Sequence, residues 1–157
     1  MINEKHVQDS LTESIQILMP QHINGSQRLF GGKLLEWIDI VAAVVGRRHS
    51  ECNVITAAID NLQFKEGAYL NDTLVLIGRI TYVGRTSMEV RVDTYVEGLS
   101  GMRKLINHAY LVLVALDKNG EPIEVPRLIV KTENEKAEWE GGQKRSALRK
   151  SRRADGY

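Results

Sequence analysis

Asp39 is the side chain in this sequence best placed to do chemistry. It stands within residues 28–48, RLFGGKLLEWIDIVAAVVGRR, where Leu34, Ile38, Val41 and Val45 recur at three- and four-residue steps. That spacing predicts a helix with a buried apolar stripe. At about 100° per residue Asp39 falls at the edge of the stripe, beside Leu35, Ala42, Ala43 and Gly46. A carboxylate there is costly to desolvate unless a partner satisfies it or a reaction uses it. It is either a structural acid held by a cap or an arginine, or a catalytic acid or base facing a cleft of small residues.

Gly31 and Gly32 open the same predicted helix. The first N–H groups of a helix lack intrahelical acceptors and sit at the positive end of its dipole. Without a Cβ, such a backbone can approach a carbonyl oxygen closely. These donors suit the oxyanion of an acyl transfer, an effect of about 3–4 kcal/mol per donor. The competing role is tight packing of the helix on a sheet. Asn24, in the loop QHINGSQ, could hold a water or a carbonyl, or could be a turn residue beside Gly25. Gly84-Arg85-Thr86-Ser87 combines a cation with the exposed amides of a strand break. That composition suits a phosphate, and equally an ordinary β-turn. Arg28, Arg103 and Lys104 are weaker candidates of the same kind.

Other chemistries lack their signatures. His6, His22, His49 and His108 are scattered without metal-ligand spacing, so no metal site is expected. His108 reads as a packed or hydrogen-bonded strand residue. No Gly-x-Ser-x-Gly elbow is present. Asp60 is a second acid, and its polar neighbour Asn61 favours a structural role for it. The single cysteine, Cys52, excludes an internal disulfide.

Several elements must position these groups. Residues 11–19 read as a first strand closed by Pro20, and the helix runs from about Gly31 to Arg48, with Arg47, Arg48 and His49 at its end. The periodicity then changes to two. Residues 53–64, LVLIGRITYV, SMEVRVDTYV and LINHAYLVLVAL follow as long strands. In SMEVRVDTYV the residues Glu89, Arg91 and Asp93 share one face, which is expected to be wet. One long apolar helix followed by sequential strands predicts an α+β fold, an antiparallel sheet wrapped around the helix. Residues 1–10 read as a loose N-terminal segment, 11–130 as the folded domain and 131–157 as a charged, basic tail. KTENEKAEWE could form a short helix anchored by Trp139 alone. KRSALRKSRR, at 144–153, reads as a solvated or frayed segment, with a basic arm for an anionic partner as the sharper alternative.

The totals narrow the class. With 157 residues, 43% hydrophobic and 26% charged, the chain fits one globular domain. A formal charge of +1 gives no global field for nucleic acid. The longest apolar run, IDIVAAVVG, is too short to span a bilayer and contains Asp39. MINEKHVQDS lacks the apolar core of a signal peptide, so a cytoplasmic location and no membrane partner are expected.

Three blocks carry a family resemblance. MPQHINGSQRLFGGKLLEWID at 19–39, YVGRTSMEVRV at 82–92 and LVLVALDKNGEPIEVP at 111–126 together resemble the hotdog-fold acyl-CoA thioesterases of the cytosolic acyl-CoA hydrolase group. The resemblance spans roughly residues 10–128. It departs at FKEG, with Gly67, and at Asn71-Asp72, both turn positions. It implies a hotdog fold and hydrolysis of acyl-CoA to free acid and coenzyme A, with no cofactor because coenzyme A belongs to the substrate. It implies Asp39 as nucleophile or general base, Asn24 at the family's asparagine position, and contact between Gly84–Ser87 and the pantetheine or nucleotide. It also implies a dimer joined through sheet edges, often extended to a trimer of dimers, with Asp39 and the glycine pair of one site drawn from opposite subunits. The acyl tunnel is expected to be lined by Trp37, Val41 and strand residues. The alternatives are a non-catalytic acyl-CoA-binding module, a nucleic-acid-associated protein acting through 144–153, and a hotdog hydratase, whose usual His–acid pairing is not evident.

Overall fold

The computed structural model describes residues 3–60 and 62–157. The 20-residue helix α2 (Gly31–Ser50) forms where the periodicity predicts it, after a short strand β1 (Glu4–His6), one helical turn α1 (Val7–Ser10) and β2 (Thr12–Ile17). The long strands β3 (Asn53–Asp60), β4 (Thr73–Val83), β5 (Ser87–Glu97) and β6 (Arg103–Leu116) follow, then β7 (Arg127–Ile129) and a 22-residue helix α3 (Glu133–Ala154). Antiparallel pairing gives a five-stranded sheet in the order β2-β4-β5-β6-β3, while β1 and β7 form a separate parallel pair. This is the α+β hotdog architecture that the sequence resemblance implied.

The core lies between α2 and the inner face of the sheet. Leu34, Ile38, Val41 and Val45 are at most 3% exposed. They face Met88, Val90 and Val92 of β5 and Ala109, Leu111, Leu113 and Ala115 of β6, all fully buried. The helix seats closely because β4 carries a glycine at the crossing. A Cβ on Gly78 would lie 2.7 Å from a methyl of Val41 and 3.1 Å from one of Val45. Any other residue would push the helix off the sheet and leave voids beside it.

Several expectations are corrected. Residues 4–10 are not loose: β1 pairs with β7, and Val7 and Ser10 are buried against the end of α2. The strand expected over 53–64 ends at Asp60, and Asn61 lies outside the described residues. The outer face of β5 is not wet, since Glu89 is 1% exposed and Asp93 3%.

α3 is the reason. Residues 133–154 form one helix started by a reciprocal cap: the Thr132 hydroxyl accepts from the Glu135 N–H, and the Glu135 carboxylate accepts from the Thr132 N–H. The helix lies on the sheet's outer face, so 144–153 is ordered rather than frayed; Arg145 and Arg149 turn to the sheet while most of the stretch stays exposed to solvent. Trp139 stacks on Tyr82 at 4.5 Å between ring centroids. Gly142 allows the close approach, for a Cβ there would stand 2.5 Å from that of Tyr82. Arg79 of β4 is bound between Glu138 and Asp93. Burial opposes the Arg79 charge, but those two carboxylates outweigh it and raise its pKa.

Candidate active site

Asp39 sits half-buried on α2, at the edge of the apolar stripe. Its partner comes from β3, where the Thr56 hydroxyl donates to Oδ1 at 2.6 Å. Among the described residues neither a cap nor an arginine satisfies this acid. The hydroxyl fixes one oxygen, and Oδ2 has no partner among the described residues. The sequence reading missed Thr56, because a threonine in a strand is ordinary and nothing in its neighbours marks it.

Asn24 and Gly31 come together in a cleft of about 230 Å³, lined also by Arg28, Leu34, Phe64 and Ile106. The loop before α2 is held by its own hydrogen bonds. The Asn24 Oδ1 accepts from the N–H of Ser26 at 2.9 Å and of Arg28 at 3.2 Å, and the Leu29 N–H donates to the Ala68 carbonyl at 2.8 Å. The left-handed residue of this turn is Gln27, at φ 63°, not Gly25. Asn24 is therefore a turn residue by its oxygen, while its amide nitrogen makes no hydrogen bond among the described residues. The Lys33 and Leu34 N–H groups both donate to the Phe30 carbonyl, which leaves those of Gly31 and Gly32 ahead of the first helical bond. The Phe30 ring lies over Gly32, 2.7 Å from where a Cβ would stand. Gly32 is exposed and only Gly31 lines the cleft.

Within one protomer these two groups are not brought together. Gly32 and Asp39 share a helix face but stand about 10 Å apart along the axis, two turns at 1.5 Å per residue. A carbonyl held by the glycine N–H groups is out of hydrogen-bond reach of Asp39 in the same chain.

The turn Gly84–Ser87 joins β4 to β5 and borders a second cleft of about 680 Å³, lined by Tyr82, Arg85, Glu124, Arg127 and Trp139 among others. The turn is tied down by its carbonyls. Arg127 donates to the Gly84 carbonyl at 2.6 Å, the Val125 N–H to that of Arg85 at 3.0 Å and the Ala115 N–H to that of Thr86 at 3.1 Å. Arg85 remains exposed and only loosely faces Glu124, at 3.8 Å. Arg127 also went unnoticed in the sequence, where it follows Pro126 in a segment with no turn or strand signal.

The other candidates have partners. Asp60 accepts from Arg149 at 2.8 Å and Arg152 at 3.4 Å, the structural role expected of it. Arg103 pairs with Glu97 and Glu13, and Lys104 with Glu66. Trp37 and Val41 belong to the packed core, with the Trp37 ring edge-on to His22 at 4.9 Å. His108 is exposed rather than packed, 6.0 Å from the Tyr110 ring. Desolvation, then the positive charge of Arg91, lowers its pKa. Among the described residues no group of three or more His, Cys, Asp or Glu is placed to hold a metal ion, and no helix is long and apolar enough to cross a membrane.

Comparison with known proteins places this geometry. Residues 27–100 match the model of the Thioesterase superfamily. An uncharacterized acyl-CoA thioester hydrolase of Bacillus subtilis is 39% identical over 119 residues, 75% of this chain and 69% of that protein. The cytosolic acyl coenzyme A thioester hydrolase of Rattus norvegicus is 32% identical over 127 residues, 78% of this chain but only 33% of that longer protein. Among solved structures, an apo-hexameric acyl-CoA thioesterase superposes with a TM-score of 0.92 at 38% identity, covering 98% of this chain and 99% of that one. The acyl-CoA hydrolase of Staphylococcus aureus, in complex with butyryl coenzyme A, coenzyme A and coenzyme A disulfide, gives 0.92 at 30% identity over 97% of this chain and 93% of that one. Three variants of that hydrolase, with an asparagine, an aspartate or a threonine replaced by alanine, have also been solved. The three positions are 15 and 17 residues apart, the separations of Asn24, Asp39 and Thr56 here. Fold, sequence and residue spacing agree: the chain belongs to the hotdog-fold acyl-CoA thioesterases of the Thioesterase superfamily.

Proposed function

We propose that this protein hydrolyses acyl-CoA thioesters to the free carboxylic acid and coenzyme A, with Asp39 as the acting carboxylate. The observation that carries the reading is the Thr56–Asp39 hydrogen bond of 2.6 Å on a helix that otherwise builds the core. It orients the acid, leaves Oδ2 to act and occupies Oδ1 with a neutral hydroxyl rather than a neutralising cation. Oδ2 either takes a proton from the attacking water or attacks the carbonyl itself; in both routes the coenzyme A thiolate leaves and water supplies the new oxygen of the acid. The Gly31 and Gly32 N–H groups and the Asn24 amide nitrogen would face the carbonyl oxygen as negative charge develops on it. Gly84–Ser87, with Arg85 exposed beside it, would take the pantetheine and nucleotide. The reaction consumes only thioester and water, so it calls for no cofactor, and a cytoplasmic location stays part of the proposal.

The site is completed by a second copy. Asp39 of one protomer serves the Asn24–Gly31 cleft of its partner, because Gly31 and Asp39 are about 12 Å apart along α2 in one chain. Two features support a dimer through β3: its outer edge is unpaired among the described residues, and Ile55 and Ile59 on it are 51% and 38% exposed. A trimer of dimers follows the hexameric relative. Asp39→Asn tests the reading. With a panel of acyl-CoA substrates and a thiol dye, kcat should drop by at least about a hundredfold while the circular dichroism and thermal midpoint stay close to wild type. Near-normal turnover by the variant would falsify the assignment.

A further inference from the structure

The proposed reaction makes no use of the basic residues of α3, yet these are placed with care. α3 crosses the outer face of the sheet from one side to the other. Trp139 meets Tyr82 of β4, Arg145 meets Glu89 of β5 and lies 3.7 Å over the Tyr110 ring of β6, and Arg149 and Arg152 reach Asp60 of β3.

β3 is the strand that needs such a tie. It is an edge strand, paired among the described residues on one side, with β6. Its register shifts between Thr56 and Ala58, and among the described residues the ladder then continues through Ala58, Ile59 and Asp60. A bulge interrupts pairing, so three rungs beyond one at a free edge are open to fraying. Thr56, whose hydroxyl holds Asp39, is the last residue before the bulge.

Arg149 secures this end. It donates to Asp60 Oδ2 at 2.8 Å and to Glu89 Oε2 at 3.2 Å. Glu89 is a fixed anchor in mid-sheet, 1% exposed, and also accepts from Arg145 and from the Thr81 hydroxyl at 2.6 Å. The Arg149 and Asp60 side chains are 11% and 13% exposed, so water screens their attraction far less than at an open surface. One guanidinium thus ties the edge strand to the central strand, across β6.

We propose that Arg149 is a positioning residue: by clamping Asp60 to Glu89 it keeps the bulged end of β3 in register and, with it, the Thr56 hydroxyl on Asp39. This rests on the reading of Asp39 and Thr56 as the hydrolytic pair. The test uses Arg149→Met, which keeps much of the side chain's bulk, and Asp60→Asn, which removes the charge at the other end while Arg149 keeps Glu89. In both, amide hydrogen exchange across 53–60 should accelerate by at least about tenfold with β4 and β5 unchanged. With butyryl-CoA as probe, kcat should fall about tenfold while KM stays within about twofold, and Arg149→Lys should recover part of the loss. In a Thr56→Val background, where the hydroxyl is already gone, Arg149→Met should cost nothing more. Unchanged exchange over 53–60, or a loss that multiplies in full onto that of Thr56→Val, overturns the proposal. Wild-type turnover by Thr56→Val alone would instead take down the reading of the site, and the catalytic half of this proposal with it. The exchange measurement would still report on the clamp by itself.

Discussion

Single side chains in this molecule are settled by what sits next to them. Asp39 and Asp60 are both half-buried acids, yet one meets a hydroxyl and the other two guanidinium groups. The first keeps an oxygen available for chemistry and the second is consumed by structure. His49 shows the same logic at the end of α2. It is fully buried and its Nε2 lies 2.8 Å from the Pro126 carbonyl, which requires the N–H on that nitrogen. Desolvation lowers its pKa from 6.5; the carbonyl opposes this, and the charge of Lys5 adds to the lowering. Folding therefore favours the neutral ring. The stability this contributes is complete above the unfolded value of 6.5 and is lost as pH falls through the lowered folded value. Urea midpoints measured between about pH 7.5 and about pH 5.5 should fall less for His49→Gln, whose amide can still donate but does not titrate. Equal slopes for variant and wild type would remove His49 from the acid sensitivity.

At the scale of elements, the two long helices bind the sheet by different physics. α2 presents an apolar stripe to an apolar face and seats by close packing at Gly78. α3 presents Glu138, Trp139, Arg145 and Arg149 to a face bearing Arg79, Tyr82 and Glu89, so its docking depends on paired charges and one aromatic contact. Its glycine pair separates helix propensity from packing. In a free helix either Gly→Ala change would add about 1 kcal/mol. Gly141→Ala should gain less than that, since its Cβ would stand 3.0 Å from the Arg145 guanidinium, which Glu89 and the Tyr110 ring hold and which must give by a few tenths of an ångström. Gly142→Ala should instead destabilise by roughly 1–3 kcal/mol, because its Cβ would collide with Tyr82. Denaturant melts should place Gly142→Ala well below Gly141→Ala, and a stabilised Gly142→Ala would contradict the packing.

For the whole molecule, the proposed distribution of the site over two protomers would tie activity to assembly. The exposed isoleucines lie where that junction is proposed, with Ile40 on α2 54% exposed and Ile55 on β3 51%. Ile55→Glu places a charge against an apolar edge and should break the assembly. Light scattering should then show a smaller particle, with hydrolysis lost in the same fractions although Asp39 and Thr56 remain intact. A particle of reduced mass retaining full activity would refute the shared site.

The sequence by itself determined the fold class, the central helix and the location of its acid. Those depend on local periodicity, where a 3.6-residue stripe or a two-residue alternation commits a segment to burying one face. The blocks around Asn24, the glycine pair and Gly84–Ser87 were legible for the same reason, as short stretches of contiguous residues. Only the tertiary structure decided that Thr56 partners Asp39, that Arg127 holds the Gly84 turn, and that 133–154 docks as a helix. Each of these joins residues far apart in the chain, and a threonine or an arginine carries no local mark of its partner. Arg145 and Arg149, one helical turn apart, and Glu89 in an outward-facing position of β5 were a pair of complementary signals; read separately, each resembles part of a solvated face. What turned both inward was the mutual cancellation of their charges, which no stretch of sequence displays alone.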